Sequence, residues 1–367
     1  MSMTETIYCH CCEEEVPIEE SREVDGELIC NDCYVNETTT CSRCDERIFN
    51  SDNAGTPDIV LCQSCFENHY THCDDCGALL GYDSAYQSDY DDRNYCYDCH
   101  IRKADERPIQ DYYYKPDPIF YGEGNRYFGI ELEIDCGGEL SNYAQELKDI
   151  ANCSGDHIYC KHDGSLDDGF EMVTHPMSCD YHLNHMPWKA VMKRAAALGY
   201  TSHMARTCGL HIHVSRGAFG DTHDQQEDVI ARILYFFEAH WEELLKFSRR
   251  TESQLTQWAA RYGRKDNPKD VLDTAKKSGA RYTCVNLTNR ATIEFRMFRG
   301  TLKYNTLIAT LQLVNRLCDV AISLSDNEIK ELSWTSFVAD ITEPELIQYL
   351  KERRLYVNEP VYTEEEL

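Results

Sequence analysis

Length, composition and charge restrict the classes of protein that this chain can belong to. It has 367 residues, 42% of them hydrophobic, and 64 acidic against 36 basic side chains, a net charge of -28. We expect two or three domains with at least one real core, and the acidity argues against nucleic-acid or anionic-membrane partners. Neither a membrane-spanning apolar run nor a signal peptide is found, so we expect a cytoplasmic protein without a membrane partner.

Thirteen of the 20 cysteines lie before residue 100, and twelve of them form C-x-x-C pairs. The pattern repeats every 32 residues, and each unit contains two pairs. Two turns that each offer two thiolates complete a tetrahedral zinc site, so we predict three tandem zinc modules over 1–105, with about three Zn²⁺ ions. The proposed ligand sets pair within each unit: Cys9, Cys12, Cys30 and Cys33; Cys41, Cys44, Cys62 and Cys65; Cys73, Cys76, Cys96 and Cys99.

A disulfide framework is the alternative interpretation, and a reducing compartment opposes it. Residues 1–120 carry 27 acidic and eight basic side chains, a net charge of -19. An acidic zinc module is a poor reader of nucleic acid, so we predict that it binds a protein partner. The array resembles LIM-type and treble-clef zinc modules, although it lacks their histidine and aspartate ligands.

A linker is predicted at 106–125, where prolines, glycines and a tyrosine run cluster. The following segment, 126–135, alternates as a strand with Glu131 and Glu133 on one face. Neighbouring carboxylates repel each other, so they indicate either a bound cation or an ordinary solvated acidic face.

Further predicted strands carry polar residues between apolar neighbours. Glu171 lies between two apolar residues, and His211 and His213 share one strand face. A single satisfied core histidine does not explain two imidazoles on one face, so we expect a metal or phosphate role for at least one. These strands are predicted at 157–165, where Asp163 begins a turn, at 169–176 and at 208–215.

The last predicted β-element is a hairpin over 281–299, in which Glu294 and Arg296 share one face. Such a pair can be a surface ion pair of little energetic value, or part of a site. Helices are predicted at 141–151, 187–198, 224–248, 253–262, 268–278, 303–324 and 343–353, before an acidic tail.

The polar residues all come from predicted antiparallel strands whose other faces are apolar. Several carboxylates with imidazole suit Mg²⁺ or Mn²⁺ better than structural zinc, and nearby arginines suit a transferring phosphate. The set is Glu131, Glu133, Glu171, His211, His213, Glu294 and Arg296, with Arg281, Asn286 and Arg299 near in sequence.

The order of six motifs resembles the amidoligase family: GIELEI, KHDGSL, GFEMVTHP, CGLHIHV, RYTCVNL and TIEFRMFRGTL. The resemblance covers about 126–324. It implies a glutamine synthetase-like α+β fold, a curved antiparallel sheet with flanking helices, similar also to glutamate–cysteine ligase. The implied activity is an ATP-dependent carboxylate–amine ligase that forms an amide through an acyl phosphate, and no P-loop is found.

The resemblance also implies roles for individual residues. Glu131, Glu133, Glu171, Glu294 and one of the two histidines would bind Mg²⁺ or Mn²⁺. Arg296 would hold the γ-phosphate, while Arg281 and Arg299 would contact phosphate or substrate, and Asn286 would lie at the nucleotide.

This organisation predicts an amidoligase-like catalytic domain at 126–330 and a helical segment with an acidic tail at 331–367. The substrates would be a carboxylate and an amine, and one of them could be a protein or peptide. The zinc modules would recruit a macromolecular substrate. Two alternatives stay open: a zinc-dependent adaptor on a non-catalytic ligase fold, and a metal-dependent hydrolase that uses the His-x-His pair.

Overall fold

The computed structural model describes residues 6–87 and 93–357. It divides into two compact units, Met1–Glu106 and Arg107–Leu367. The predicted acidic tail at 358–367 lies outside the described residues. Among the helices of the described part of the chain, none combines the length and apolarity that crossing a membrane requires.

The first unit is built from small antiparallel hairpins and short helices, around three small clusters of buried residues. Each cluster contains cysteines as well as apolar side chains, because units of this size bury little apolar surface by themselves. The elements are β1 (Thr6–Tyr8), β2 (Glu15–Pro17), β3 (Ser21–Val24), β4 (Glu27–Cys30), α1 (Asn31–Asn36), β5 (Thr38–Thr40), β6 (Arg47–Phe49), α2 (Gln63–His69), β7 (Tyr70–His72), β8 (Leu79–Gly81), β9 (Tyr86–Gln87), β10 (Asn94–Tyr95) and α3 (Tyr97–Glu106).

The second unit is a mixed α/β structure with one seven-stranded sheet. All strand pairs in it are antiparallel except the first, which is parallel. In spatial order the strands are β11 (Ile109–Gln110), β13 (Ile158–Lys161), β14 (Phe170–Thr174), β12 (Phe128–Ile134), β15 (Gly209–Ser215), β17 (Thr292–Arg299) and β16 (Val285–Asn286).

Helices pack against the apolar face of this sheet and form the main core. On β12 the alternation places Phe128, Ile130 and Leu132 in that core, fully buried. The helices are α4 (Ser141–Ala151), α5 (Cys179–Asn184), α6 (Trp188–Ala197), α7 (His223–Ala239), α8 (Trp241–Ser248), α9 (Glu252–Trp258), α10 (Pro268–Ser278), α11 (Tyr304–Ser323), α12 (Asp326–Glu331), α13 (Trp334–Ala339) and α14 (Pro344–Glu352).

Several predicted elements differ from the structure. The segment predicted as a linker contributes β11, because Ile109 is buried and its strand pairs with β13. The long helix predicted at 224–248 breaks at His240, which leaves helical geometry and whose Nε2 lies 3.0 Å from the Leu332 carbonyl. In the hairpin predicted over 281–299, the first strand is two residues long, Val285–Asn286.

Candidate active site

Strand register brings residues that are far apart in sequence onto one face of the sheet. Glu131 on β12 lies opposite His211 on β15, and Glu133 lies opposite Glu171 on β14. His213 lies opposite Glu294 on β17. Because neighbouring strands are about 4.8 Å apart, these side chains form one continuous polar cluster.

The first group that could hold a metal ion contains Glu131, His211 and Glu294, whose ligand atoms lie within 4.8 Å of one another. His211 Nδ1 is 3.2 Å from Glu131 Oε2 and 3.7 Å from Glu294 Oε1. His211 and Glu294 are buried, while Glu131 is partly accessible. Two carboxylates and an imidazole at these distances fit a divalent ion.

The second group contains Glu133, Glu171 and His211, all buried and again within 4.8 Å of one another. His211 Nε2 is 3.7 Å from Glu133 Oε1. Glu171 forms an ion pair with Lys161 on β13, with Nζ 3.2 Å from Oε2. The second group therefore already has one cation beside it, and a metal ion would add another.

His211 is the histidine that both groups contain, and His213 belongs to neither. A neutral imidazole has one lone pair for a metal, so His211 can serve one ion and its other nitrogen then donates a hydrogen bond. The His213 ring lies with Nε2 3.0 Å from Glu131 Oε1 and Nδ1 3.2 Å from Thr292 Oγ1. Its position suits orienting Glu131 rather than binding an ion with that carboxylate.

Buried charge perturbs the carboxyl groups in opposite directions. Burial raises the pKa of Glu133 and Glu171, and the Glu131 carboxylate raises the pKa of Glu171 further. Burial also opposes ionisation of Glu131, but the charge of His213 and hydrogen bonds from the two histidines hold its pKa well below its usual range. On the Glu133–Glu171 side, Lys161 and Arg250 only partly offset burial and like-charge repulsion, so a divalent cation there would favour the ionised carboxylates.

Glu294 is held by a set of hydrogen-bond donors at the other side of the cluster. Asn286 Nδ2 donates to its Oε2 at 2.9 Å, and Asn289 Nδ2 donates to the same oxygen at 3.3 Å. Arg296 Nη1 forms an ion pair with Oε1. The carboxylate is therefore fixed in orientation, which a metal ligand requires.

Arg281 and Arg299 make other side-chain contacts, and Asp163 belongs to neither candidate metal group. Arg281 is exposed and donates from Nη1 to the Tyr112 hydroxyl at 3.0 Å. Arg299 lies at the end of β17, with Nη1 3.5 Å from the Arg249 carbonyl. Asp163 holds its turn, because its Oδ1 accepts from the Ser165 backbone N–H at 2.7 Å.

Three features of the cluster were not predicted from sequence. Lys161 pairs with Glu171, the Gly209 backbone N–H donates to Glu133, and Arg250 lies beside them. A Cβ atom at position 209 would come within 2.6 Å of His211 Nε2 and 2.8 Å of Arg250 Nη2. The position of Lys161 two residues before Asp163 was visible in the sequence, but Arg250 follows a helix end and carries no strand pattern.

The cysteines of the first unit form three groups of four, paired within each unit as predicted, that could hold zinc. Across each group one sulfur–sulfur distance is 3.9 Å (Cys12–Cys30), 3.7 Å (Cys44–Cys62) or 3.8 Å (Cys76–Cys96). A tetrahedral site with Zn–S bonds of about 2.3 Å has sulfur–sulfur separations of about 3.8 Å. The spacing of the thiols therefore matches a four-cysteine zinc site.

The same local turn presents the first pair of each group. The residue four positions after the first cysteine has a left-handed backbone: Glu13 (φ 60), Asp45 (φ 63) and Gly77 (φ 73). This turn directs backbone N–H groups at the first sulfur. Burial opposes ionisation of Cys9, but backbone N–H groups of Cys12 and Cys30 lower its pKa to about 6, which favours the thiolate that zinc binds.

Comparison with known families bears on the second unit. Residues 149–318 match the family model described as "Putative amidoligase enzyme". The matched region includes Glu171, His211, Glu294 and Arg296, while β12 with its two glutamates precedes it. The three cysteine groups also lie outside it.

Among solved structures, the chain is similar to a bifunctional glutathione synthetase from Pasteurella multocida, with 12% identity and a TM-score of 0.37. The match covers 62% of this chain and 46% of that chain, so this chain spans less than half of the synthetase. No curated protein matches the chain.

Substituting Glu171 by glutamine should make the metal-free protein more stable at about pH 8 and leave it unchanged near pH 4. The pKa of Glu171 is raised in the folded state, so the folded state binds this proton more tightly than the unfolded state does. The stability that this group contributes is therefore fully present below pH 4.5, its usual pKa, and is lost as the pH rises through the higher pKa of the folded state. We expect a higher melting temperature at about pH 8, and each 1 kcal/mol of gained stability corresponds to a shift of about 2–4 °C in a domain of this size.

Thermal unfolding with chelator, at both pH values, measures this effect. The control is Glu331→Gln, an exposed glutamate on α12, which should change neither melting temperature. A Glu171→Gln protein that is less stable than the parent at about pH 8 would contradict the raised pKa.

Proposed function

We propose that the chain is an ATP-dependent carboxylate–amine ligase that forms an amide or isopeptide bond through an acyl phosphate. The observation that carries the proposal is that the two candidate metal groups, each with two glutamates, share His211, and that Arg296 lies beside Glu294. The amidoligase match over 149–318 supports a ligase of this general class. A carboxylate alone does not react with an amine, so ATP supplies the activation.

The donor set fits hard divalent ions such as Mg²⁺ or Mn²⁺. Its ligands are carboxylate oxygens and one imidazole, without thiolates. Burial and like-charge repulsion raise the pKa of Glu133 and Glu171, and a bound cation would counteract this effect. Glu131 and Glu294 would hold one ion and Glu133 and Glu171 another, with His211 serving one of them. When bound, the ions would neutralise the triphosphate and polarise the γ-phosphate.

Arg296 is the residue we assign to the γ-phosphate. Its side chain is buried, and its Nε has no hydrogen-bond partner among the residues that the structure describes. Its Nη1 is held by Glu294, so the guanidinium is fixed while one donor stays unused. A buried unused donor is costly, and a phosphate oxygen would satisfy it.

The proposed reaction has two balanced steps. A substrate carboxylate oxygen attacks the γ-phosphorus, and ADP leaves as the acyl phosphate forms. The amine nitrogen then attacks the acyl carbon, phosphate leaves with that carboxylate oxygen, and the nitrogen loses a proton as the amide forms. Catalysis of the first step rests on positioning and charge neutralisation.

The direct test measures ADP formation with a panel of amino-acid, peptide and polyamine substrates. We expect ADP release that requires Mg²⁺ or Mn²⁺, a carboxylate and an amine together. Absence of ATP turnover across the panel would contradict the ligase, and metal-dependent hydrolysis of an amide or ester without ATP would favour a hydrolase instead.

We further propose that the first unit binds three zinc ions and recruits a macromolecular substrate. Its support is the thiol spacing of the three groups and the acidity of this part of the chain. With zinc bound, each group of four thiolates would keep a charge of about -2, so a partner with basic surface would be favoured.

Removing residues 1–106 should therefore leave ATP turnover on small substrates within about twofold and lower activity on the natural macromolecular substrate at least about tenfold. The measurement compares both activities in the full chain and in the fragment 107–367. Circular dichroism and the melting temperature of the fragment show whether the second unit stays folded. Equal loss, or no loss, on both substrates would contradict recruitment.

A further inference from the structure

A basic cavity of about 630 Å³ lies in the second unit, among residues that the proposed reaction does not use. Its walls come from the end of α8, the loop before β15 and the chain after α14. The size is that of a site for a small molecule or a short peptide segment. The polar residues that line it, among those that the structure describes, are His203, Lys246, Arg249, Arg250, Arg353 and, as the one acidic member, Glu242.

The cavity has four permanent cations, which are Lys246, Arg249, Arg250 and Arg353. Among the described residues, none of them forms an ion pair with a carboxylate. They are held by backbone carbonyls instead: Arg353 Nη2 donates to the Lys246 carbonyl at 2.7 Å, and Lys246 Nζ donates to the Arg354 carbonyl at 3.2 Å. Arg249 Nε is buried without a hydrogen-bond partner within the described part of the chain.

The surroundings add to this positive field. Burial, followed by the charges of Arg249, Arg299 and Lys303, lowers the pKa of His203 to about 4, so His203 is neutral at physiological pH. Clustered like charges repel each other, and a bound anion would offset that repulsion. In a chain with a net charge of -28, such a concentration of cations is a local feature and not a consequence of composition.

Arg250 connects the cavity to the carboxylate cluster. It lines the cavity, and it also interacts electrostatically with Glu133. A Cβ atom at position 209 would lie 2.8 Å from Arg250 Nη2 and 2.6 Å from His211 Nε2, so the guanidinium is next to the candidate metal ligands. A ligand in the cavity could therefore extend to the reacting centre.

The lining favours carboxylates over a nucleotide. Among the described residues, Leu245 is the one apolar residue of the lining, which contains no Phe, Tyr or Trp, so the cavity lacks the apolar and aromatic lining typical of a purine site. The phosphates of a nucleotide are already provided for by the metal ligands and Arg296 in the proposed reaction. Arginine guanidinium groups pair with carboxylates through two parallel hydrogen bonds, which gives both affinity and orientation.

We propose that this cavity is the binding subsite for a polycarboxylate substrate, an acidic peptide segment such as consecutive glutamates, one carboxylate of which enters the cluster beside Arg250. The proposal names the substrate class and rests on the proposed ligase activity. Arg353 lies outside the region that matches the amidoligase model, so this part of the subsite comes from the C-terminal segment of this chain.

Isothermal titration of the full chain with tetraglutamate, without ATP or Mg²⁺, tests the proposal. Tetraglutamine is the neutral peptide control, and sodium triphosphate is the phosphate probe. The first cavity variant combines Lys246→Gln and Arg353→Gln. The second cavity variant carries Lys246→Glu alone, and Lys246 is exposed. The matched control removes the same charge from two exposed helix lysines, Lys193→Gln with Lys269→Gln.

We expect the parent to bind tetraglutamate more tightly than tetraglutamine. Both cavity variants should bind tetraglutamate at least about tenfold more weakly than the parent, and the control variant should bind it within about twofold of the parent. Equal binding of the two peptides, or equal binding by parent and cavity variants, would overturn the proposal. If the parent binds triphosphate but not tetraglutamate, and the cavity variants lose the triphosphate binding, the proposal is overturned in favour of a phosphate site. Because no ATP is present, failure of the ligase reaction would leave these results interpretable.

Discussion

Replacing Glu294 by glutamine should lower ATP turnover by at least about 100-fold while the protein stays folded. Glu294 belongs to the first candidate metal group, and it also holds Arg296, the residue assigned to the γ-phosphate. Glutamine has the same shape and keeps an oxygen for Asn286, but its neutral amide is a poor ligand for a hard cation. The substitution therefore removes charge at the site without leaving a cavity.

The measurement is the rate of ADP formation at saturating Mg²⁺, with the melting temperature as the test of folding. Glu331→Gln, on the exposed side of α12, removes the same charge and should retain full activity. Turnover by Glu294→Gln close to that of the parent would remove this carboxylate from the proposed mechanism.

Loss of zinc should unfold the first unit and spare the second. Each cysteine group lies in a small cluster with few apolar residues, so metal binding would supply most of the folding free energy, of order 10 kcal/mol for a structural zinc site. The second unit has a large core of its own around the sheet. We expect about three zinc ions per chain by elemental analysis, and about two in Cys41→Ser, which breaks the second group.

Cys11→Ser is the control for this experiment, because Cys11 is exposed and belongs to none of the three groups. It should retain the zinc content of the parent. After treatment with a strong chelator, proteolysis should remove the first unit and leave a fragment starting near residue 107. A chain without zinc whose first unit resists proteolysis would contradict a structural role for the metal.

Local patterns in the sequence predicted much of the secondary structure. Alternation predicted a strand at 208–215, and β15 spans Gly209–Ser215. The break at His240 could not be predicted, because it depends on tertiary contacts: the imidazole bonds to the Leu332 carbonyl and lies 5.9 Å from the Trp334 ring. The edge strand β11 is two residues long and carries no periodicity at all.

The site was predictable as a list of strand residues but not as a geometry. Alternation places Glu131 and Glu133 on one face, whereas the central position of His211 depends on a pairing between strands 80 residues apart and on a register shift near Leu210. Arg299 was grouped with the carboxylates from sequence proximity, and its contact with the Arg249 carbonyl depends on tertiary structure that no local pattern contains. Arg353 comes from the segment after α14, where no motif exists.

The most direct test of the central claim follows a carboxylate oxygen. The full chain is incubated with ATP, Mg²⁺, hydroxylamine as a small amine, and amino acids and acidic peptides whose carboxylates carry ¹⁸O. An acyl phosphate transfers one substrate oxygen to phosphate, so we predict ¹⁸O-labelled inorganic phosphate together with a hydroxamate. ADP formation that yields unlabelled phosphate would show that water, and not a carboxylate, attacks the γ-phosphate, and would contradict the ligase.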